Sequence, residues 1–374
     1  MNDRKRIAVA HPVLNGNEKQ YVLDCLDTGW ISSVGKYIPL FEDCFAQFCT
    51  TRYAVACSNG TTALHLALLA LGVEAGDEVL VPTLTFISSA NAVRYCGGEP
   101  VFVDSEARTM NIDPQQIERH ITPRTKGIIV VHLYGHPADM DPILAIAKKH
   151  NLFVLEDAAE AHGATYKGRM AGSLADCATF SFYGNKIITT GEGGMITTND
   201  PEMLDTMVTL RGQGVDKLRR YWFPVVGYNY RLTNIQAALG LAQLEQIEHH
   251  LKRRQEVSEL YRAALASLAK VLTVPSQEPW AHHAFWGYSI ILKPESRLNS
   301  GDLMRVLNDD GIETRPVFIP VHTMPPYYKE GESHPVAEHL GRNGVTIPMH
   351  GMLTEADVHY IAERLAAHCL GTGA

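Results

Sequence analysis

From Tyr53 onward the chain alternates short apolar runs with longer stretches whose apolar positions recur at helical spacing. Tyr53–Ala56, Glu78–Val81, Pro100–Val103, Gly127–Val131, Leu152–Leu155, Ala178–Phe182 and Met195–Thr198 read as strands. Between or after them, 63–71, 86–95, 114–120, 140–150 and 201–210 read as helices, the first apolar nearly all round and therefore buried. Repeated strand-helix units of this length predict an α/β fold with a large, mostly parallel sheet flanked by helices. Upstream, Gly29–Tyr37 is a polar and aromatic loop between two helical patterns. Downstream, Arg211–Gly214 and Arg219–Pro224 form a long polar and aromatic excursion, and loops of that length inside a compact domain are more often functional than idle.

The run from Asn234 to about Ala269 predicts one or two long helices. Beyond Val271 the texture changes. Phe285–Leu292 and Glu313–Phe318 read as strands, Ser300–Asp309 as a helix, and Thr354–Asp357 as a capping box that opens a last helix to His368. This predicts a smaller α+β C-terminal domain over 251–374 beside a large domain over 1–250, with the extreme N-terminus packed against the small one.

A formal net charge of -8 and the absence of a basic run argue against a nucleic-acid surface. Ile7–Ala10 is too brief for a signal-peptide core, and no segment approaches the length of a membrane span, so a cytoplasmic protein is expected. Seven scattered cysteines without a C-x-x-C pair read as reduced thiols. Neither His249-His250 nor His282-His283 has the i, i+4 spacing that presents two imidazoles to one metal, so no metal is expected.

Candidate chemistry centres on Ser181–Met195, which sets Lys186 between an aromatic strand end and a Gly-rich turn. A partly dry site would make its amine a nucleophile able to form a Schiff base, for which pyridoxal phosphate (PLP) is the usual partner; a solvated surface lysine is the other reading. Cys57–Thr62 leads from a strand into a helix, and the free amides there, with Gly60 allowing close approach, suit a phosphate; a plain cap explains Thr61 and Thr62 too. Asp157 stands at a strand end, where ligands bind in such sheets and where helix caps also occur. An anion cradle, a carboxylate and a lysine in this order together fit one cofactor, PLP.

Ser181–Met195, with Ser58–Leu64, Glu156–Ala161 and Gly227–Asn234, resembles the DegT/DnrJ/EryC1/StrS family of fold-type I sugar aminotransferases over nearly the whole chain. Thr28–Ser33, Tyr221-Trp222, Glu313–Phe318 and His322–Pro325 are similar to the branch that makes a GDP-linked amino sugar. The resemblance implies transamination of a nucleotide-linked 4-keto-6-deoxy sugar, with L-glutamate as donor and pyridoxamine phosphate as the intermediate form of the cofactor. Lys186 would carry the cofactor and shuttle the proton, Asp157 would pair with the pyridinium, Thr61, Thr62 and Ser181 would hold the phosphate, and Phe86 would stack on the ring. Asn229 would reach the neighbouring subunit's cofactor, which implies at least a homodimer with shared sites. Packing for Phe86 and a turn amide for Asn229 are the rival readings.

Glu160 stands where the family often carries glutamine beside the cofactor's phenolic oxygen, so it is expected either to be protonated or to turn toward the sugar. Arg219, Arg220, Tyr221 and Trp222 are candidates for the diphosphate and base, and Trp30 falls in a segment shared with the same branch. Arg315 and His322 are candidates for the sugar or the glutamate carboxylate, against a solvated loop and a domain-interface pair. UDP- or dTDP-linked sugars are the alternative substrates. A sister branch that dehydrates the sugar carries histidine at the lysine position, and a PLP-binding regulator would need a DNA-binding module for which no length is spare.

Overall fold

A computed structural model describes residues 6–370; the part of the extreme N-terminus expected against the small domain that precedes residue 6 lies outside the described residues. Two helices lead in, α1 (Glu18–Thr28) and α2 (Tyr37–Phe48). Next come β1 (Tyr53–Cys57), α3 (Gly60–Ala70), β2 (Glu78–Pro82), α4 (Ser88–Tyr95), β3 (Glu99–Val103), α5 (Pro114–Ile117), β4 (Thr125–Val131), α6 (Met140–His150) and β5 (Phe153–Asp157). The short hairpin β6 (Thr165–Tyr166) and β7 (Arg169–Met170) precedes β8 (Cys177–Ser181), β9 (Gly194–Thr198) and α7 (Pro201–Arg211).

Seven of these strands form one sheet in the order β1-β9-β8-β5-β4-β2-β3. All neighbouring pairs from β8 to β3 run parallel, and only β9 is antiparallel to its neighbours β1 and β8. Burial on both faces explains the near-continuous apolar strands. In β4, Ile129 and Val131 join a core with α3 residues Leu64, Leu66 and Leu68, while Ile128 and Val130 pack with Met140 and Ile143 of α6. A third cluster, with Phe41, Phe45, Phe180, Phe182 and Ile188, packs α2 beneath the β8 end of the sheet.

The remaining elements are α8 (Asn234–Leu244), α9 (Ile247–Ala264), β10 (Leu272–Thr273), β11 (Ala281–His282), β12 (Tyr288–Leu292), α10 (Ser300–Asp309), β13 (Arg315–Pro316), α11 (Pro335–Asn343), β14 (Gly344–Ile347) and α12 (Glu355–Leu370). Strands β10, β12, β14 and β13 make an antiparallel sheet, while β11 pairs with β6. Ile7 bridges to Ile312 beside that sheet.

Two expected strands are shorter than their apolar runs. The 285–292 run becomes extended only at Tyr288 because Phe285 takes a left-handed φ of 50°. The 313–318 run pairs only at Arg315–Pro316, where an edge position tolerates the missing proline N–H. Helix α11 has no counterpart among the sequence expectations. Its Pro335 sits in the first turn, and the Asp104 carboxylate accepts the Val336 and Ala337 amides at 3.2 and 2.9 Å, so its cap comes from a distant part of the chain.

Candidate active site

The parallel strands end together along one edge of the sheet, and the candidate residues gather there. Asp157 closes β5 and is paired in register with Thr179 of β8, two residues before Ser181. After Ser181 the chain turns, and Ile187 and Ile188 sink into the cluster of Phe41, Phe45 and Phe182. Thr190 donates its amide to the Phe182 carbonyl at 2.9 Å, and Phe182 donates its own to Gly193 at 2.8 Å, closing the loop on itself. Lys186 is thereby raised out of the core with its side chain only 11% exposed.

Its Nζ lies 3.5 Å from Glu160 Oε1 and 4.1 Å from the centroid of the Trp286 ring. Glu160 Oε2 accepts the Tyr134 amide at 2.8 Å. Burial pushes the Glu160 carboxyl up to about 7, against the opposing pull of Lys186. Its charged and neutral forms are therefore both accessible near pH 7.

Asp157 is likewise buried, and burial raises its carboxyl above the ordinary range. Its Oδ2 accepts the Ser89 hydroxyl at 2.7 Å, and its Oδ1 the Ala159 amide at 3.3 Å. One strand position earlier, Glu156 accepts the amides of Gly172, Leu174 and Ala175 and pairs with His132 at 3.0 Å, so the end of β5 is fixed from both sides.

The start of α3 meets Ser181 closely: a Cβ on Gly60 would stand 2.9 Å from Ser181 Cβ. Only glycine lets the helix start approach that far. The Asn59 side chain accepts the Thr62 amide at 2.9 Å, completing a capping box with the Thr62 hydroxyl. The anion cradle therefore narrows to the Gly60 and Thr61 amides, which have no partner within the helix, and the Ser181 hydroxyl; the Thr62 amide is already engaged.

Other expected residues sit at varied distances from this centre. Phe86 is 57% exposed at the mouth, its ring 6.0 Å from that of Phe318. Asn229 is exposed and accepts from Arg231 Nε at 3.1 Å, a position from which it faces outward. Arg219 lies 4.2 Å over the Trp222 ring and Arg220 5.0 Å over the Tyr221 ring in an exposed loop. Trp30 is 56% exposed on the loop before α2, tied to Asn234 through its carbonyl. Arg315 is exposed and paired with Glu313 at 2.9 Å. His322 differs from all of these. It is buried, with Nδ1 2.6 Å from Thr83 Oγ1 and Nε2 3.3 Å from Glu338, so both ring nitrogens are occupied at the junction with β2. That is the interface reading; its imidazole has no free nitrogen for a sugar.

Three contributors were not anticipated from the sequence: Ser89 on Asp157, Tyr134 on Glu160 and Trp286 on Lys186. The aromatic run Phe285-Trp286 was a usable signal for the last; a single serine or tyrosine carries none.

An α/β sheet whose parallel edge presents a sheltered lysine, two buried carboxylates and a helix start with amides unpaired within the helix defines a fold-type I PLP-dependent aminotransferase. The profile of the DegT/DnrJ/EryC1/StrS aminotransferase family matches residues 12–366, and the chain belongs to that family. It is 55% identical to the GDP-perosamine synthase of Caulobacter vibrioides over 98% of this chain and 99% of that one. The Escherichia coli O157:H7 GDP-perosamine synthase is 49% identical over 96% and 98%. Among solved structures, the PLP form of Spr1654 from Streptococcus pneumoniae superimposes with a TM-score of 0.91 at 28% identity, over 96% and 98% of the two chains.

The residues present fit PLP. The phosphate would find two α3 amides and a hydroxyl, the pyridine nitrogen a carboxylate whose burial raises it and which has no cationic hydrogen-bond partner among the described residues, and the aldehyde a sheltered amine. Among the described residues no helix is long and apolar enough to cross a membrane.

Proposed function

We propose that this enzyme moves the amino group of L-glutamate to C4 of GDP-4-keto-6-deoxy-D-mannose, giving GDP-perosamine, in the cytoplasm and as a homodimer or larger assembly with shared sites. The observation that carries the reading is the meeting of Lys186, Asp157, Glu160 and the Gly60–Thr61 helix start at one sheet edge. The GDP-sugar and the position of amination rest on the names of relatives up to 55% identical.

Bound PLP supplies an aldehyde that captures amines and a ring that accepts the electron pair left when a C–H proton departs. Asp157 holds a proton on the pyridine nitrogen and so keeps that ring electron-poor. Lys186 Nζ would carry the cofactor and, when free, would move the proton of the reacting C–H bond, in opposite senses for the glutamate donor and the sugar. The Gly60 and Thr61 amides and the Ser181 hydroxyl hold the phosphate, and Phe86 covers one face of the ring. Neutral Glu160 donates to the phenolic oxygen without charge repulsion. Asn229 serves the phosphate of the adjacent copy. Arg219, Arg220, Tyr221 and Trp222 are assigned to the diphosphate and base, with Trp30 and Arg315 nearer the sugar or the donor carboxylate.

Incubation with glutamate and a panel of GDP-, UDP- and dTDP-linked keto sugars tests this. The expected product is a GDP-sugar with nitrogen at C4, identified by mass and NMR. Amination confined to UDP or dTDP sugars, or at C3, would replace the substrate assignment while leaving the reaction type intact.

A further inference from the structure

Four aromatic rings link the cofactor edge to the C-terminal sheet. Phe86 contacts Phe318 at 6.0 Å; Phe318 stacks on Tyr134 at 5.4 Å and 7°; Tyr134 stacks on Trp286 at 6.0 Å and 7°. The last ring of the series lies beneath Lys186, Nζ to centroid 4.1 Å. Polar contacts hold Tyr134 and Trp286, the two rings nearest the lysine. The Tyr134 hydroxyl accepts the Phe318 amide at 3.1 Å, the Tyr134 amide donates to Glu160, and the indole Nε1–H donates to the Asn185 carbonyl at 2.8 Å, one residue before the lysine. Arg254, itself buried, donates to the Phe285 and Trp286 carbonyls at 3.0 and 3.2 Å and to Met349 at 3.2 Å, fixing the backbone behind the indole. Gly135 allows this closeness: a Cβ there would be 3.0 Å from the Trp286 backbone nitrogen.

We infer that Trp286 is a positioning residue that holds the Lys186 ammonium between its π face and the Glu160 carboxyl, ready for the proton transfers of the reaction. The inference rests on the assignment of Lys186 as the cofactor lysine. A cation over an indole face gains electrostatic stabilisation, more so where water is scarce. The indole carries no titrating proton, so it can retain the amine without competing for the proton that the amine must pass on. The tether to Asn185 makes ring and lysine move together. The aromatic series also makes the placing of Lys186 depend on Phe318, which enters from the C-terminal part of the chain.

The other ionisable groups around the amine are Glu160 and, further off, Asp157 and His162. A test must leave these in place. Tryptophan carrying one to four ring fluorines keeps its size and its N–H while its π face weakens stepwise. Incorporated into the full-length chain freed of cofactor, the series is read by the acetylation rate of Lys186 at a fixed mildly alkaline pH, quantified by peptide mapping. Because an amine held against the ring face is less free to attack the reagent, the rate is expected to climb with each fluorine, reaching about two- to fivefold at the most substituted ring. A rate that stays flat or falls across the series overturns the inference. Because the readout needs no cofactor, it stands apart from the cofactor assignment, which is tested by trapping PLP on Lys186 in the unsubstituted protein.

Discussion

At the scale of single residues, the decisive group beside Lys186 is Glu160. Its carboxyl is pushed up to about 7 by burial, so it changes charge within the working pH range. The unfolded chain would hold that proton only below the usual range of glutamate, about 4.3. Folding therefore favours the protonated form, and the contribution is complete below the unfolded value and fades as pH climbs through the folded one. Replacing Glu160 with Gln fixes the neutral, hydrogen-bonding state. The variant is expected to bind PLP as the parent does, to lose the fall in turnover as pH rises through 7, and to lose the decline in Tm between about pH 4.3 and 7. A variant that no longer shows the cofactor's absorbance would contradict this role. The flanks of Lys186 left a surface lysine and a Schiff-base lysine both open; what pointed to a cofactor was its occurrence in one chain with Asp157 and the α3 start. Trp286 and Tyr134 were not legible, since what they do arises from ring contacts between stretches of chain far apart in sequence.

Among the elements, the start of α3 bears the tightest constraint. The glycine there lets two helix amides share an anion with Ser181, and an added methyl group would collide with the Ser181 Cβ at 2.9 Å. Gly60→Ala is expected to weaken PLP binding by about ten- to a hundredfold through loss of a charge-assisted hydrogen bond, measured by titration of apoprotein. Far-UV circular dichroism should not change, because the Asn59 capping box still opens the helix. Unaltered PLP affinity would move the phosphate elsewhere. The α3 start was legible as strand, small-residue turn and apolar helix, although which amides stay free depended on the Asn59 side chain. Most other elements followed from alternation along the chain. The hairpin β6–β7, the strands β10, β11 and β14, α11 and the shortened β13 did not; α11 takes its cap from Asp104 and β13 pairs at an edge with β14, contacts that periodicity does not encode.

For the whole molecule, the exposed side of Asn229 and the reading of shared sites make a joint prediction. Subunits carrying Lys186→Ala should be inactive alone, and those carrying Asn229→Ala strongly impaired. In a mixed dimer one site would combine the intact lysine of one subunit with the intact asparagine of the other. Unfolding and refolding the two variants together should then recover about a quarter of parental activity by random pairing. Activity no greater than the sum of the separate variants would argue that each subunit works alone. All of these expectations converge on one amine, brought to the sheet edge by a loop whose neighbours come from across the chain. The most direct test is borohydride reduction of the PLP-loaded protein followed by peptide mapping of the full chain. The account predicts a single pyridoxyl group, on Lys186. A pyridoxyl group on any other lysine, or none in protein that retains PLP, would contradict it.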